Sequence, residues 1–274
     1  MSGFNKIVCV IGLGYIGLQT ASLLGTKGYK VHGVDTSKHV VDTINKGLIH
    51  IVEPELDILV KSAVQSGNFS ASIEPQKADI FIIAVPTPLT SDHQPDLSYI
   101  ETATKMIAPF VKKGNLVILE STSPVGTTEK VVAGTLKEYG CDLDKDIHVA
   151  HCPERVLPGK IISEMVQNDR IVGGINSVAT EKAVEFYQTF VNGDVIATDS
   201  STAELSKLVE NSFRDVNIAF ANELSLICDK EKISVWEVIK LANRHPRVNI
   251  LNPGPGVGGH CIAVDPWFIV SRAT

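Results

Sequence analysis

Lys207 and Asn211 lie four positions apart on one long helical stretch. That spacing puts both on one helix face, so an ammonium and an amide can reach a single oxygen. Such donors stabilise a developing alkoxide. The same stretch carries Glu204, Glu210, Arg214 and Asp215, so a solvated charged face is the competing reading. Cys261 follows Gly254-Pro255-Gly256-Val257-Gly258-Gly259-His260, and Asp265 comes four residues later. A thiol at the edge of a glycine-rich loop is accessible, and a helix N-terminus meeting it there lowers its pKa. A small buried hydrophobe is the plainer reading of a lone cysteine, and it suits Cys9 and Cys228 better. Cys141 and Cys152 read as incidental. His260 orients substrate or tunes the thiolate, or is structural. Glu154, in His151-Cys152-Pro153-Glu154-Arg155-Val156-Leu157-Pro158-Gly159, follows a strand end, as a general base or as a loop salt-bridge partner of Arg155.

A second group of residues suits a dinucleotide. Gly12-Leu13-Gly14-Tyr15-Ile16-Gly17 follows an apolar strand and opens a helix, the context that gives GxGxxG its meaning. Gly12 permits the tight turn, Gly14 lets a pyrophosphate approach the backbone, and Gly17 lets the helix settle on the sheet. Asp35, 18 residues after Gly17, ends the second strand. An acid there accepts hydrogen bonds from a ribose 2′-hydroxyl and repels a 2′-phosphate, so NAD is expected rather than NADP. Thr87 and Thr122 sit in loops after further strands. They face cofactor or substrate, or they cap the following helices.

The elements that must position these residues alternate. Strands are expected at Ile7–Ile11, Lys30–Val34, Ile80–Ala84, Leu116–Leu119, Ile147–Ala150, Arg170–Val172 and Val195–Ala197. Helical patterns such as Ile16–Thr26, Lys38–Asn45, Tyr99–Ile107, Thr128–Glu138 and Thr180–Phe190 lie between them. The fold class is therefore α/β, a Rossmann-type doubly wound parallel sheet with helices on both faces. From residue 200 the pattern turns all-helical. Leu205, Val209, Phe213, Val216, Phe220, Leu224 and Ile227 make one apolar stripe on a helix of about 28 residues, spanning about 40 Å. A second helix fits Val235 to Asn243, and the segment Ile262 to Val270 begins another or stops short. The expected domains are 1–199, binding NAD, and 200–274, a helical central and dimerisation domain. Ile218, Ala219 and Leu226 widen the stripe, so burial on several sides in a homodimer is expected.

Composition excludes several classes. The 274 residues are 44% hydrophobic and 20% charged, with 25 basic and 31 acidic residues and a net charge of −6. That balance argues against disorder, nucleic acid and a membrane surface. No apolar run reaches the 18–20 or so residues of a membrane span. Five cysteines without a CxxC pair suggest neither a disulfide framework nor a zinc site. With a start that runs directly into a strand, the expected setting is the cytoplasm.

VIGLGYIGL, STSPVGTT, CPERVLPG, KLVENSFRDVNIAFANEL and PGPGVGGHCIAVDP, in this order, resemble the UDP-glucose/GDP-mannose dehydrogenase family. IHIVEPEL, NRHPRVN and GGHCIAVDPWFIV look most like its members acting on UDP-N-acetyl-D-mannosamine. The resemblance implies a four-electron oxidation with NAD, which makes a uronate for bacterial surface polysaccharide. It implies that Cys261 holds the substrate covalently and that Lys207 and Asn211 surround its C6 oxygen. By the same resemblance Asp265 and Thr122 assist water and the oxyanion, and Glu154 serves thioester hydrolysis. The implied cofactor residues are Gly12, Gly14, Tyr15, Ile16, Gly17, Asp35, Thr87 and Thr122. The implied substrate residues are Glu154, Arg155, Val156, Lys207, Asn211, Arg214 and His260.

Val264 stands where UDP-glucose dehydrogenases carry a lysine, and Pro158 where they often carry a second glutamate; both departures favour an N-acetylated sugar. Family members have a third, UDP-binding domain, so a chain ending at Thr274 is expected to be a poorly active fragment. The alternatives are UDP-N-acetylglucosamine or UDP-glucose as substrate, a β-hydroxyacid dehydrogenase, and an NAD-binding module without catalysis.

Overall fold

The computed structural model describes residues 6–143, 146–157, 159–259 and 261–273. Its elements are β1 (Ile7–Ile11), α1 (Tyr15–Thr26), β2 (Lys30–Val34), α2 (Lys38–Asn45), α3 (Leu56–Gln65), β3 (Phe69–Ser72), β4 (Ile80–Ile83) and α4 (Ser98–Ile107). There follow β5 (Leu116–Leu119), a wide π-type turn Thr128–Ala133 leading into α5 (Gly134–Glu138), β6 (His148–His151), α6 (Ile161–Gln167), β7 (Arg170–Gly174), α7 (Ser177–Tyr187) and β8 (Val195–Asp199). The last three are α8 (Ser200–Glu231), α9 (Val235–Ala242) and α10 (Asp265–Ala273). By internal contact the chain divides into two units. One comprises Met1–Pro88 with Asp96–Leu205, and the other Leu89–Pro95 with Ser206–Thr274.

The first unit is built on one eight-stranded sheet in the order β3-β2-β1-β4-β5-β6-β7-β8. Its central strands, IVCVI, IFII and LVIL, are apolar on both faces, as a sheet covered on both sides requires. Successive side chains point to opposite faces. Val8, Val10, Ile80, Ile82, Leu116 and Ile118 therefore join one core, against α1, α3 and α7. Cys9, Ile11, Phe81, Ile83, Val117 and Leu119 join the other, against α4 and the Thr128–Glu138 segment. The strand order reverses between β1 and β4, so their carboxyl ends open the crevice in which doubly wound folds bind ligands.

The sheet differs from expectation in two respects. β7 runs antiparallel to β6, with Ala150 opposite Gly174 and His151 opposite Gly173, while β8 is parallel to β7. The strict alternation of strand and helix hid this reversal. β3 was not expected at all. Phe69-Ser70-Ala71-Ser72 buries alternate residues at the edge of the sheet, which leaves it too polar to read as an apolar run. The short helices α3 and α6 were missed as well.

The second unit is helical. α8 has 32 residues, about 48 Å of helix. Ala221, Cys228, Val235 and Ile239 form its small core between α8 and α9. The apolar stripe faces outward in the single chain: Phe213 is 61% and Val216 68% exposed, with Val209 and Phe220 also exposed. The helix that was undecided near the C-terminus forms at Asp265–Ala273.

Candidate active site

In the first unit the glycine turn has the geometry a dinucleotide needs. Gly12 adopts φ +90°, and a Cβ there would meet the Ala84 carbonyl oxygen at 2.7 Å. A Cβ on Gly17 would stand 1.8 Å from the Gly12 carbonyl oxygen, so only glycine lets α1 sit against the turn. Among the described residues nothing lies within 4 Å of where a Cβ on Gly14 would be, and no side chain caps α1. The turn is thus an open cradle with helix N–H groups directed into it, as an anion requires. Asp35 accepts from the Leu13 amide on Oδ2 (3.0 Å) and from the Ser37 amide on Oδ1 (2.9 Å). A cleft of about 440 Å³ opens beside it, lined by Gly12, Asp35, Thr36, Pro86, Tyr99 and Met106 among others. These residues fit a dinucleotide with its ribose at Asp35. Tyr15 is exposed and Ile16 half-buried at the mouth of the turn, and the Thr87 hydroxyl is buried without a partner among the described residues.

Thr122 lies half-buried in the loop after β5. The amides at the start of the following helical segment go to Glu204 instead. Its carboxylate accepts from Gly126 N (2.5 Å), Thr128 N (2.7 Å) and Thr128 Oγ1 (2.7 Å). Glu204 is fully buried, which corrects its reading as part of a solvated charged face.

Glu154 is also buried, and its partner is not the Arg155 side chain. The antiparallel ladder of β6 and β7, continued beyond His151, puts Arg170 across from Glu154. Arg170 Nη1 donates to Glu154 Oε2 at 2.6 Å, with both side chains nearly inaccessible. Arg155 contributes only its backbone amide, to Oε1 at 2.9 Å; its guanidinium donates to the Asp169 carbonyl. Val156 packs against the core.

One strand away lies Glu120, 2% exposed, which accepts from Tyr187 (2.7 Å) and Thr20 (3.1 Å). Burial first, then the neighbouring Glu154 charge, push its carboxyl up to about 7 against the pull of Arg170. Sequence reading passed over Glu120, Tyr187, Arg170 and the role of Glu204. The available signal was an arginine opening an apolar strand, since a charge placed there needs a buried partner.

In the second unit Asn211 is buried, and its Nδ2 donates to Asp265 Oδ2 at 2.5 Å. The helix face that was expected to offer Lys207 and Asn211 to one oxygen therefore ties Asn211 to α10 as well. Cys261 is exposed as a residue, and the Val264 and Asp265 amides bond back to its carbonyl. Its thiol is raised, not lowered as expected. Partial loss of water comes first and the Asp265 charge second, and together they outweigh the attraction of Lys207 and Arg214. Burial also raises the Asp265 carboxyl, opposed by Asn211 and Lys207. Lys207, Asn211, Cys261 and Asp265 thus form one cluster, with the exposed Arg214 acting on the thiol. His260 lies outside the described residues.

Residues 6–191 match the family description "UDP-glucose/GDP-mannose dehydrogenase family, NAD binding domain", and residues 201–274 match the same family's central domain. A UDP-N-acetyl-D-mannosamine dehydrogenase of Campylobacter jejuni is 61% identical over 98% of the chain and 68% of its own length. An NDP-N-acetyl-D-galactosaminuronic acid dehydrogenase of Ralstonia solanacearum is 59% identical over 98% of the chain and 65% of its own length. The solved structure of a UDP-D-ManNAc dehydrogenase from Pyrococcus horikoshii superimposes with a TM-score of 0.94 at 45% identity, over 98% of this chain and 65% of that one. The chain thus spans about two thirds of the length of the relatives it matches. With the family's NAD-binding and central domains matched in order, and the glycine cradle and the cysteine cluster each in its own unit, the chain belongs to the UDP-glucose/GDP-mannose dehydrogenase family.

Proposed function

We propose that this chain carries the NAD-binding and catalytic residues of a dehydrogenase that oxidises the C6 alcohol of UDP-N-acetyl-D-mannosamine to a carboxylate. The observation that carries the reading is the gathering of Lys207, Asn211 and Asp265 about Cys261. Bound NAD supplies the hydride acceptor in both oxidations. Lys207, as a cation, stabilises negative charge on the C6 oxygen while the alcohol gives up its hydroxyl proton to water and its hydride to NAD and becomes an aldehyde. Cys261 then forms a sulfur–carbon bond to the aldehyde carbon as the carbonyl π bond breaks and its electron pair passes to the oxygen, which keeps that carbon bound for the second oxidation. Its thiol proton must leave for the new hydroxyl oxygen, and Asp265, whose own proton affinity is raised by burial, is suited to receive it and pass it on. The second oxidation leaves a thioester, and water displaces the sulfur to release the carboxylate. Glu154 and Thr122 are assigned to that water. Held on both oxygens by Arg170 and the Arg155 amide, Glu154 is an oriented carboxylate.

Asp35 selects NAD over NADP, because a 2′-phosphate would meet its charge. The exposed stripe on α8 supports a homodimer through this helix, since a single chain rarely exposes so many large apolar side chains in one row. Five free cysteines support a reducing, cytoplasmic setting, and no helix among the described residues is long and apolar enough to cross a membrane. A nucleotide-bound uronate is a building block for acidic surface polysaccharide.

The relative named for N-acetyl-D-galactosaminuronic acid is almost as similar as the one named for N-acetyl-D-mannosamine, so a second N-acetylated epimer is the second reading. NADH released per sugar, measured by absorbance with each UDP-N-acetylhexosamine, tests both. Two NADH per sugar from the wild type and one or fewer from Cys261→Ser are expected. Two from the variant would overturn the covalent mechanism.

A further inference from the structure

Glu154 and Arg170 form a neutral pair, and a second carboxylate is buried against them. Glu120 directly follows β5 and precedes Ser121-Thr122. The groups facing it are Thr20 of α1, Tyr187 of α7, Arg170 of β7, Glu154 of the loop after β6, and Cys152 at the end of β6. Burial pushes the Cys152 thiol up to about 12 and the fully buried neighbour His151 down to about 3, so both stay neutral at working pH. Tyr187 is raised well above its ordinary value and is neutral too. One guanidinium therefore acts on two carboxylates, bonded to Glu154 and linked to Glu120 through the Tyr187 ring that it covers and whose hydroxyl donates to Glu120. Arg170 is largely committed: Nη1 to Glu154, Nη2 to the Met165 carbonyl at 3.2 Å, and its face over the Tyr187 ring, which leaves only its buried Nε without a partner among the described residues.

We propose that Glu120 is a positioning residue for Glu154, and that its proton controls how firmly the Glu154 loop is held by Arg170. The inference rests on the role assigned to Glu154 above. With its proton on, Glu120 leaves the Arg170–Glu154 pair balanced, and the loop stays closed. With its proton off, a second negative charge repels Glu154 and competes for Arg170. Opening the loop separates Glu154 from Glu120, so the open form holds the Glu120 proton less tightly than the closed one. The group's affinity for its proton is raised in the closed form, so closure is favoured at low pH and weakens as pH rises towards about 7. Above that point the effect levels off. Because Glu120 lies two residues before Thr122 and accepts from Thr20 on α1, the same proton ties the loops after β5 and β6 to the nucleotide helix.

The test is amide hydrogen exchange at Arg155, whose N–H donates to Glu154 Oε1, followed by NMR on this chain between about pH 5.5 and pH 8. After correction for intrinsic exchange, protection in the wild type should fall at least about threefold up to pH 7, with tenfold per pH unit as the ceiling for one proton, and then flatten. Glu120→Gln should abolish the slope. Tyr187→Phe removes a hydrogen bond that favours the ionised form and should move the flattening point to higher pH. Glu53 and Glu164 also accept backbone amides of this loop, and their contribution persists in Glu120→Gln and is thereby separated. An unchanged slope in a folded Glu120→Gln protein, or a flat wild-type profile, would overturn the proposal. Thioester accumulation in Glu154→Gln tests the assigned role of Glu154 by itself, so the two failures are distinguishable.

Discussion

Replacing Asp35 tests the assigned cofactor site most directly. Its carboxylate offers about four lone-pair positions. The Leu13 and Ser37 amides occupy two, one on each oxygen. The remaining two are free to accept from a ribose, with a net worth of about 1–2 kcal/mol once competition from water is counted. Asp35→Ala should therefore weaken NAD binding about 5- to 30-fold. It should also loosen the glycine turn, because the Leu13 amide loses its acceptor. Asp35→Asn is not a milder change, since its NH2 must face one of the two amides, donor against donor. Titration calorimetry of the wild type and both variants with NAD and NADP reads these effects. NADP bound by the wild type as tightly as NAD, or NAD affinity untouched in Asp35→Ala, would refute the reasoning.

Gly17→Ala should abolish measurable NAD binding and destabilise the chain by roughly 1–3 kcal/mol, because the added methyl meets the Gly12 carbonyl; calorimetry and thermal melts read both. Glu204→Gln sets an NH2 against one of two backbone N–H donors, so about 3 kcal/mol should be lost, lowering Tm by roughly 6–12 °C in scanning calorimetry. Cys261 should be alkylated more slowly near pH 8 than a free thiol, and Asp265→Asn should speed the reaction because the charge that raises the thiol is gone; rates measured by mass spectrometry that showed no such gain would contradict the assigned cause. Light scattering should give about twice the 29.5 kDa chain mass, and a clean monomer at high micromolar concentration would refute a dimer through α8.

Much of the fold was legible because a sheet covered on both faces writes itself as apolar runs. β1, β2 and β5 fall where the sequence puts them, and the ends of β4, β6, β7 and β8 move by one or two residues. β3 was not legible, since an edge strand with serines facing outward carries too little apolar signal. Strand direction was not legible either, because a run of residues has the same pattern read parallel or antiparallel. In the site, the glycine turn and Asp35 could be placed from spacing alone, as could Asn211 on its helix, while the helix that carries Asp265 was left open. The partner of Glu154 could not, because it depends on the register of β7. The state of Cys261 could not, because it depends on how three charges balance around a partly dry thiol. Glu204 sits among charged residues, and spacing gave no sign that it turns inward to meet two amides.

The reversal of β7 has an architectural consequence. In a parallel sheet every strand begins at one edge and delivers only its last residues to the other. β7 travels the opposite way to β6, so its first residue arrives at the edge where β5 and β6 finish. A five-residue strand is about 16 Å long, so running β7 in the direction of β6 would carry Arg170 about that far away, to the floor of the sheet. Two carboxylates would then share the dry rim with no cation between them. A designer who regularised this sheet into a uniform parallel array would keep every strand and helix, and would strip the rim of its counter-ion.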